Sequence, residues 1–297
     1  MSSREDHAPQ PPEDPRERWV LPAFGAMATV TYLAPGLIRV LAPNPSPMTL
    51  DGTNTYVLAP PGRGEALIVD PGPVDPSHEA QVSAVLTEVD AELRAIVLTH
   101  HHADHAASAA RFAATHGSPV LAASPTLTGA DGVLADGARL TVGGTDIEVV
   151  ATPGHTGDHL AFRLSDGAVL TGDHVLGRGT SVVMHPDGDL EAYLASLRRL
   201  HDLGPQALYP GHGPSLTEDP TAVLEFYLAH RAFREAQLRA ALAVAPATVE
   251  ELVALLYADL DRKLWPAATA SLSATVAALT SRGEVRTDSG GRCHLDV

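Results

Sequence analysis

The sequence predicts a mixed α/β fold in which two packed β-sheets carry helices on their outer faces, followed by a small C-terminal domain. In the first 215 residues, short apolar runs typical of strands alternate with helical segments in two successive series. Several of these runs end in polar clusters, which would therefore meet at one rim of the sheets. Residues 246–297 contain a separate set of short elements, at the lower end of domain sizes.

Composition limits the possible classes of function. The chain of 297 residues has room for a large core, and its net charge of −16 opposes general binding to nucleic acids or anionic membranes. No apolar run approaches the ~18 residues that a membrane span needs. The N-terminus lacks the apolar stretch of a secretory signal, so we expect a cytoplasmic protein without a membrane partner. Cys293 is the only cysteine, which excludes an internal disulfide and a cysteine-based metal site.

The main domain is predicted to span residues 19–215, after a proline-rich, disordered tail at residues 1–18. Its first series of strands is predicted at 28–32, 37–41, 54–58, 66–69, 95–98 and 119–122. Helices are predicted between these strands at 77–93, with Ser77 as the N-cap, and at 103–115. The second series has a clear amphipathic helix at 189–203 and strands at 139–142, 147–150, 160–164, 168–171 and 207–209.

The C-terminal part is predicted to begin with a long helix at residues 216–245, which would connect the main domain to the small one. Arg231, Arg234 and Arg239 are expected to form an exposed face of this helix. The small domain, residues 246–297, is predicted to contain helices at 249–256 and 268–282 and a short β-wing at 283–297.

The strongest chemical signal is the segment from Thr99 to His105, which reads THHHADH and follows an apolar strand. This spacing lets imidazole and carboxylate groups face two neighbouring metal ions from a strand end and the start of a helix. Neutral imidazole and carboxylate are the ligands that zinc takes when no thiolate is present. Four single candidates also follow apolar runs, three of them directly after a glycine that allows a sharp turn: Asp70, His155, Asp173 and His212. Any one of these would be a weak signal, but their number and order form a pattern.

That pattern resembles, motif by motif, the metallo-β-lactamase superfamily. Further segments resemble its β-lactamase-like protein 2 subfamily, namely residues 44–50, 52–56, 155–159, 172–177, 209–214 and 227–235. The resemblance implies a four-layer αββα sandwich of metallo-β-lactamase fold, with a dinuclear metal site on its rim. It also implies that the C-terminal domain has a winged-helix-like fold.

The resemblance further implies a set of roles at the site. One Zn²⁺ would be held by His100, His102 and His155. A second Zn²⁺ would be held by Asp104, His105 and His212, with Asp173 bridging the two ions. Residues expected to orient these ligands are Asp70, Asp158 and His159, and Asn54 is expected to bind substrate. His101 and His174 match no ligand position and are expected to be structural or exposed to solvent.

The implied reaction is hydrolysis by a metal-bridging hydroxide, with Asp104 as the proton shuttle. Proteins of the resembling subfamily include thioesterases acting on acyl carriers and single-strand endoribonucleases. The substrate is therefore expected to be a small ester or an acyl-carrier thioester, with single-stranded RNA as the alternative. β-Lactam hydrolysis is less favoured, and a non-catalytic metal-binding scaffold is a third hypothesis that the complete ligand set disfavours.

Charge in the small domain favours the thioester over a nucleic acid. Residues 246–297 contain five basic and seven acidic side chains, a net charge of −2. The predicted helix at 268–282 carries Arg282 as its only charge, whereas a winged helix that reads duplex DNA needs a basic helix face. We therefore expect no binding to duplex DNA. The sequence does not predict the oligomeric state.

Overall fold

A computed structural model describes residues 10–296 of the chain. Residues 15–18 form a single turn of 3₁₀ helix, in which Arg16 is buried and donates hydrogen bonds to the carbonyl oxygens of Leu176 (2.8 Å) and Gly179 (2.6 Å). The predicted disordered tail is therefore too long at its C-terminal end, because buried hydrogen bonds attach Arg16 to the main domain. Residues 1–9 of that prediction lie outside the described residues.

The first sheet contains seven strands in the order in which they occur along the chain. The first four are antiparallel neighbours and the last four are parallel neighbours. Their bounds are β1 Val30–Ala34, β2 Leu37–Leu41, β3 Asn54–Leu58, β4 Glu65–Val69, β5 Glu92–Val97, β6 Val120–Ala122 and β7 Gly132–Val133.

The second sheet contains five strands in the order β12-β11-β10-β9-β8. Only β11 and β12 are parallel neighbours. The bounds are β8 Arg139–Val142, β9 Thr145–Ala151, β10 Leu160–Leu164, β11 Val169–Gly172 and β12 Leu208–Pro210. A two-stranded sheet, β13 Val285–Thr287 with β14 Cys293–Leu295, forms the predicted wing.

Eight α-helices accompany these strands within residues 10–296. They are α1 Pro76–Glu88, α2 Ala103–Ala106, α3 Ala109–His116, α4 Pro125–Thr128, α5 Leu190–Asp202, α6 Pro220–Val244, α7 Val249–Leu256 and α8 Trp265–Ser281. The N-cap of α1 is Asp75, not Ser77, and this helix ends before β5 instead of continuing to residue 93. The single helix predicted at 103–115 is two helices, since the chain breaks between α2 and α3. No helix among the described residues is long and apolar enough to span a membrane.

Three apolar clusters hold the four layers together, as in the predicted αββα sandwich. The central cluster joins the inner faces of the two sheets through side chains such as Tyr56, Val97, Val149 and Phe162. A second cluster packs α1 and α3 on the outer face of the first sheet. A third packs α5 and the first half of α6 on the outer face of the second sheet. The α/β fold class and the two-sheet arrangement are therefore confirmed.

The small domain includes more of the chain than residues 246–297. Leu238 and Leu242, in the second half of α6, pack with α7, α8 and the wing in one apolar core. The predicted connecting helix thus belongs to both domains, since its first half packs on the second sheet. Its arginine face is not exposed as predicted: Arg231 is buried, and Arg239 pairs with Glu235 and Glu284.

Candidate metal centre

The candidate ligands meet at one rim of the two sheets, where parallel strands end. Asp70 follows β4, and the segment containing His100 and His102 follows β5 and leads into α2. Asp173 and His212 follow β11 and β12, the one parallel pair of the second sheet. Because the carboxyl ends of parallel strands lie at the same edge, four separate stretches of sequence deliver side chains to one place. His155 joins them from the loop between β9 and β10.

The first group of candidate ligands is His100, His102, His155 and Asp173, whose ligand atoms all lie within 4.8 Å of one another. The Nδ1 atom of His102 lies 3.2 Å from the Nε2 atom of His155. His155 Nε2 also lies 3.8 Å from an Asp173 carboxylate oxygen. Three nitrogen atoms and one oxygen atom therefore converge on a space that one small cation could occupy.

The second group is Asp104, His105 and His212. The Nε2 atoms of His105 and His212 lie 3.2 Å apart, and His212 Nε2 lies 3.2 Å from Asp104 Oδ2. Asp173 of the first group, 3.8 Å from His155 Nε2, also contacts the second group, with one carboxylate oxygen 3.3 Å from His212 Nε2 and the other 3.4 Å from His105 Nε2. Its position next to both groups is the geometry that a bridging ligand requires.

Hydrogen bonds at the opposite ring nitrogen orient most of these histidines. The Nδ1–H of His155 donates to the carbonyl oxygen of Val182 (2.7 Å), and that of His212 donates to the carbonyl oxygen of Gly52 (3.1 Å). A carbonyl can only accept, so each bond fixes a proton on Nδ1 and directs Nε2 at the centre. His102 is turned the other way, with Nδ1 towards the centre and Nε2 3.7 Å from Asp187.

Asp70 connects the two groups from behind. One of its carboxylate oxygens accepts a hydrogen bond from the Thr99 amide (2.7 Å), and the other accepts from the Thr99 hydroxyl (2.7 Å) and from His105 Nδ1 (2.9 Å). The Thr99 hydroxyl has thereby donated its proton, so it accepts from Nδ1–H of His100 (2.9 Å). Asp70 adopts a positive φ of 52°, which Asp tolerates better than most residues.

The electrostatics differ between the two groups. Burial lowers the pKa of His100 well below the usual histidine range, so its ring is neutral. Burial also opposes charge on His105 and His212, but Asp173 and neighbouring carboxylates outweigh it. They raise the pKa of His105 well above its usual range and that of His212 to about 9. The carboxylates therefore require positive charge at the centre of the site.

The donor set fits divalent metal ions. His100 Nε2 is buried, has no hydrogen-bond partner within residues 10–296, and carries a lone pair directed at the first group. One Asp173 carboxylate oxygen is likewise buried without a hydrogen-bond partner there. Buried acceptors without donors are costly unless a cation satisfies them. The nitrogen and oxygen donors are of the type that zinc prefers.

Comparison with known proteins identifies this arrangement. A family model described as "Metallo-beta-lactamase superfamily" matches residues 48–212, which include the site from Asp70 to His212. The chain belongs to the metallo-β-lactamase superfamily. A second model, "Beta-lactamase associated winged helix domain", matches residues 248–292 and confirms the predicted class of the C-terminal domain.

Several members of the metallo-β-lactamase superfamily resemble the chain over most of its length. A "Beta-lactamase-like protein 2 homolog" of Drosophila melanogaster is 33% identical over 276 residues, covering 86% of this chain and 92% of that protein. An "Atrochrysone carboxyl ACP thioesterase" of Aspergillus fumigatus is 38% identical over 198 residues, covering 62% of this chain and 58% of that protein. The crystal structure of a metallo-beta-lactamase family protein from Thermus thermophilus has a TM-score of 0.75 and 26% identity, covering 89% of this chain and all of the other.

Within this superfamily fold, the prediction for Asn54 needs correction. The side chain is fully buried, and its Nδ2 atom donates to the carbonyl oxygens of Pro210 and Gly213, both at 2.8 Å. Asn54 therefore supports the loop that carries His212 and does not face a substrate cavity. It was predicted from motif position alone, which does not show the direction of a side chain.

The predicted orienting residues contact the site indirectly. The His159 Nε2 atom accepts a hydrogen bond from the Asp173 amide (3.2 Å), which positions the central carboxylate. Asp158 contacts His101 at 2.9 Å, so His101 is held beside the ligands without joining either group. His174 is fully buried beside the Tyr193 ring, with centroids 4.3 Å apart, as a structural residue would be.

Sequence reasoning missed two contributors to the site. The Thr99 hydroxyl connects Asp70 to His100 through two hydrogen bonds. A threonine before a histidine gives no distinctive signal in the sequence. Asp187 lies 3.5 Å from His101 Nε2 and 3.7 Å from His102 Nε2, although it is far from both in the chain. Its segment, Pro186-Asp187-Gly188, has the composition of an ordinary turn, so only the folded structure identifies it.

Proposed function

We propose that this member of the metallo-β-lactamase superfamily is a dinuclear zinc-dependent hydrolase that acts on thioesters. The observation that carries the proposal is the pair of ligand groups, His100/His102/His155 and Asp104/His105/His212, with Asp173 next to both. The two groups together provide five imidazoles and two carboxylates. Such a set suits two zinc ions and offers no thiolate that would favour other chemistry.

When bound, two zinc ions supply a water of lowered pKa and polarise the carbonyl oxygen of a substrate. The chain's own contribution is to hold the donors rigidly and to move a proton. Asp104 is suited to that second task, because its side chain is 29% exposed whereas that of Asp173 is 10% exposed. Asp104 can therefore exchange a proton with solvent while it remains beside His212.

Several observations support a hydrolysis that needs no side-chain nucleophile. Cys293, the only cysteine, is buried in the small domain among the side chains of α7, α8 and the wing. A relative that is 38% identical over 198 residues is named "Atrochrysone carboxyl ACP thioesterase". We therefore place the substrate among acyl thioesters rather than β-lactams or RNA.

The proposal is tested by metal analysis followed by a panel of substrates. Protein purified without chelator and reconstituted with zinc should contain about two zinc equivalents per chain. The loaded protein is then assayed with an acyl thioester, a phosphodiester, single-stranded RNA and a β-lactam. Thioester turnover well above the other three supports the proposal. One zinc equivalent or less would contradict the dinuclear site, and metal binding without turnover of any substrate would indicate a scaffold.

A further inference from the structure

Two adjoining cavities, together called the cleft, extend from the metal centre to the small domain. Its inner part, a cavity of about 170 Å³, is lined by His155 and Asp173. Its outer part, about 320 Å³, is lined by Arg234 of α6 and Tyr257 after α7. The two parts share residues of two loops, so they are adjoining sections of one cleft: Pro47, Met48, Gly179, Thr180, Ser181 and Val182.

One short segment of this cleft contacts both the metal centre and α6. The carbonyl oxygen of Val182 accepts the hydrogen bond from His155 Nδ1 (2.7 Å). The carbonyl oxygen of the preceding residue, Ser181, accepts from a guanidinium nitrogen of Arg231. Since adjacent residues make these two bonds, this segment links Arg231 of α6 to the candidate ligand His155. Arg234 lies one helical turn beyond Arg231 on the same face.

These two arginines lack the acidic partners that the other arginines nearby possess. Within residues 10–296, neither Arg231 nor Arg234 has a carboxylate within 4.0 Å, whereas Arg239 and Arg282 pair with Glu235 at 3.1 and 2.7 Å. The Arg234 guanidinium lies 4.6 Å from the centroid of the Tyr257 ring and donates to Gln237 (3.0 Å). Two unneutralised cations beside a cleft are unexpected in a chain with a net charge of −16.

Burial and the positive charge of these arginines lower the pKa of a neighbouring histidine. His230 lines the outer part of the cleft, and its pKa is lowered to about 4 by burial and then by the charges of Arg231 and Arg234. The same field that disfavours a proton on His230 favours an anion in the cleft. The remaining walls are largely apolar, including Met48, Leu260 and Leu264. The cleft thus combines an apolar channel with a cationic outer end.

We propose that Arg234 binds the phosphate of a phosphopantetheine arm, whose thioester end reaches the metal centre through this cleft. This inference rests on the proposed thioesterase function and assigns the outer end of its substrate. The apolar walls suit the methylene and amide chain of the arm. Arg231 is a positioning residue, because it is 5% exposed and is bonded to the segment that holds His155. Coenzyme A and acyl carrier proteins both present this arm, so both are potential sources.

The first test compares thioesters with and without the phosphate. The zinc-loaded full-length protein is assayed with the same acyl thioester of pantetheine, of 4′-phosphopantetheine, of coenzyme A and of an acyl carrier protein. We expect kcat/KM for the phosphopantetheine thioester to exceed that for the pantetheine thioester at least about tenfold, as for a charge-assisted hydrogen bond. R234Q should abolish this preference, and R234K should retain part of it. The coenzyme A and carrier-protein substrates show which source presents the arm.

A matched control variant is R198Q, which removes an exposed arginine of α5 that does not line the cleft. It should keep the full preference for the phosphorylated substrate. An equal rate for both small thioesters, or a preference that survives in R234Q, would overturn the inference while leaving thioesterase activity established.

The second test measures binding without turnover, so that it remains decisive if no thioester is hydrolysed. S-methyl-4′-phosphopantetheine and S-methylpantetheine are titrated into the parent protein and R234Q by calorimetry in a phosphate-free buffer. Tighter binding of the phosphorylated compound to the parent protein alone supports the inference. Equal affinities overturn it, as would single-stranded RNA binding that depends on Arg234 when neither compound binds. Absence of hydrolysis with all thioesters would instead contradict the proposed function.

Discussion

The central residue of the site is Asp173, because its carboxylate lies within 4 Å of His155 in the first ligand group and of His212 and His105 in the second. It is 7% exposed, and its carboxylate lies 3.3 Å from His212 Nε2 and 3.4 Å from His105 Nε2. Its backbone amide is held by His159. A carboxylate fixed in this way loses little freedom when it binds a cation, so its contribution to metal affinity should be large.

We expect D173N to lower the zinc content from about two equivalents per chain to one or less and to reduce kcat/KM more than about 100-fold. The amide keeps the volume of the side chain but removes the charge shared by the two groups. Elemental analysis and thioester kinetics provide the measurements. H101Q is the control, since His101 contacts Asp158 and belongs to neither group around Asp173. Metal loss in H101Q equal to that in H102Q would show that the ligand assignment is out of register.

Another residue makes stability depend on pH without belonging to the metal centre. His78 is 2% exposed, its Nε2 atom is hydrogen-bonded to Thr55 Oγ1 (2.8 Å), and its Nδ1 atom has no partner within residues 10–296. Burial lowers its pKa from 6.5 to about 4, against the opposing effect of Asp75 and Glu79. Between these two values the unfolded chain binds the extra proton, so stability falls as the pH is lowered through this range.

The pH effect is measured by urea unfolding of the parent protein and H78Q at pH 7.5 and pH 5. We expect His78 to account for about 2 kcal/mol of the parent's loss of unfolding free energy between these values, because the unfolded state gains the proton alone. H78Q should therefore lose about that much less over the same range. If both proteins lose the same amount, His78 does not titrate during unfolding.

At the scale of secondary-structure elements, the ends of β11 and β12 lie so close together that no side chain fits at Gly211. The Gly211 amide donates to the carbonyl oxygen of Gly172 (2.8 Å). A Cβ atom at Gly211 would lie 2.5 Å from Asp173 Oδ1 and 2.7 Å from His105 Cε1. Real Cβ atoms do not approach other atoms so closely, so the two strand ends and the ligands depend on this glycine.

We expect G211A to lower zinc affinity about 10- to 100-fold, since overpacking of this kind typically costs about 1–3 kcal/mol and here displaces two ligands. Zinc affinity is measured by competition with a chromophoric chelator, and the fold is checked by far-UV circular dichroism. G157A is the matched control, because Gly157 lies in the loop of His155 and a Cβ atom added there would have its nearest heavy atom 3.9 Å away. Unchanged zinc affinity in G211A would contradict the steric argument.

At the scale of the whole molecule, the small domain packs against the catalytic domain through α8. This is the helix that a winged-helix protein would use to read DNA. Ala274 and Ala278 of α8 pack in the cluster formed with α5 and the first half of α6. At the end of α8, Arg282 pairs with Glu191 of α5 (3.0 Å) and with Glu235 of α6 (2.7 Å). The side of α8 that carries Ala274 and Ala278 is therefore buried within the protein.

We expect the full-length protein not to bind duplex DNA, because α8 is packed against the catalytic domain and the net charge of the chain is −16. Gel-shift titration at low salt is the measurement, since electrostatic binding is strongest there. Micromolar or tighter binding that is lost in R282E would show that the small domain exposes a DNA-binding surface after all.

The sequence by itself determined the fold class, the order of the strands and helices other than α4 and β7, and the seven candidate ligands that the structure brings together. These features are local: apolar periodicity defines each element, and each candidate ligand lies in a loop after a strand or at the start of the helix behind it. Loops at strand ends are where such side chains converge, so the candidate site could be predicted from the positions of the strands. The superfamily assignment is confirmed for the same reason, since it rests on these ordered motifs.

The tertiary structure alone decided how those residues are used. The direction of the buried Asn54 side chain, the approach of Asp187 to His102, and the division of α6 between two domains depend on contacts between distant parts of the chain. Arg231 has the hydrophilic character of a surface residue, yet packing of α8 against α6 buries it beside the cleft. A polar side chain on a helix reveals its charge from the sequence, but its burial and its neighbours are set by whatever packs against that helix.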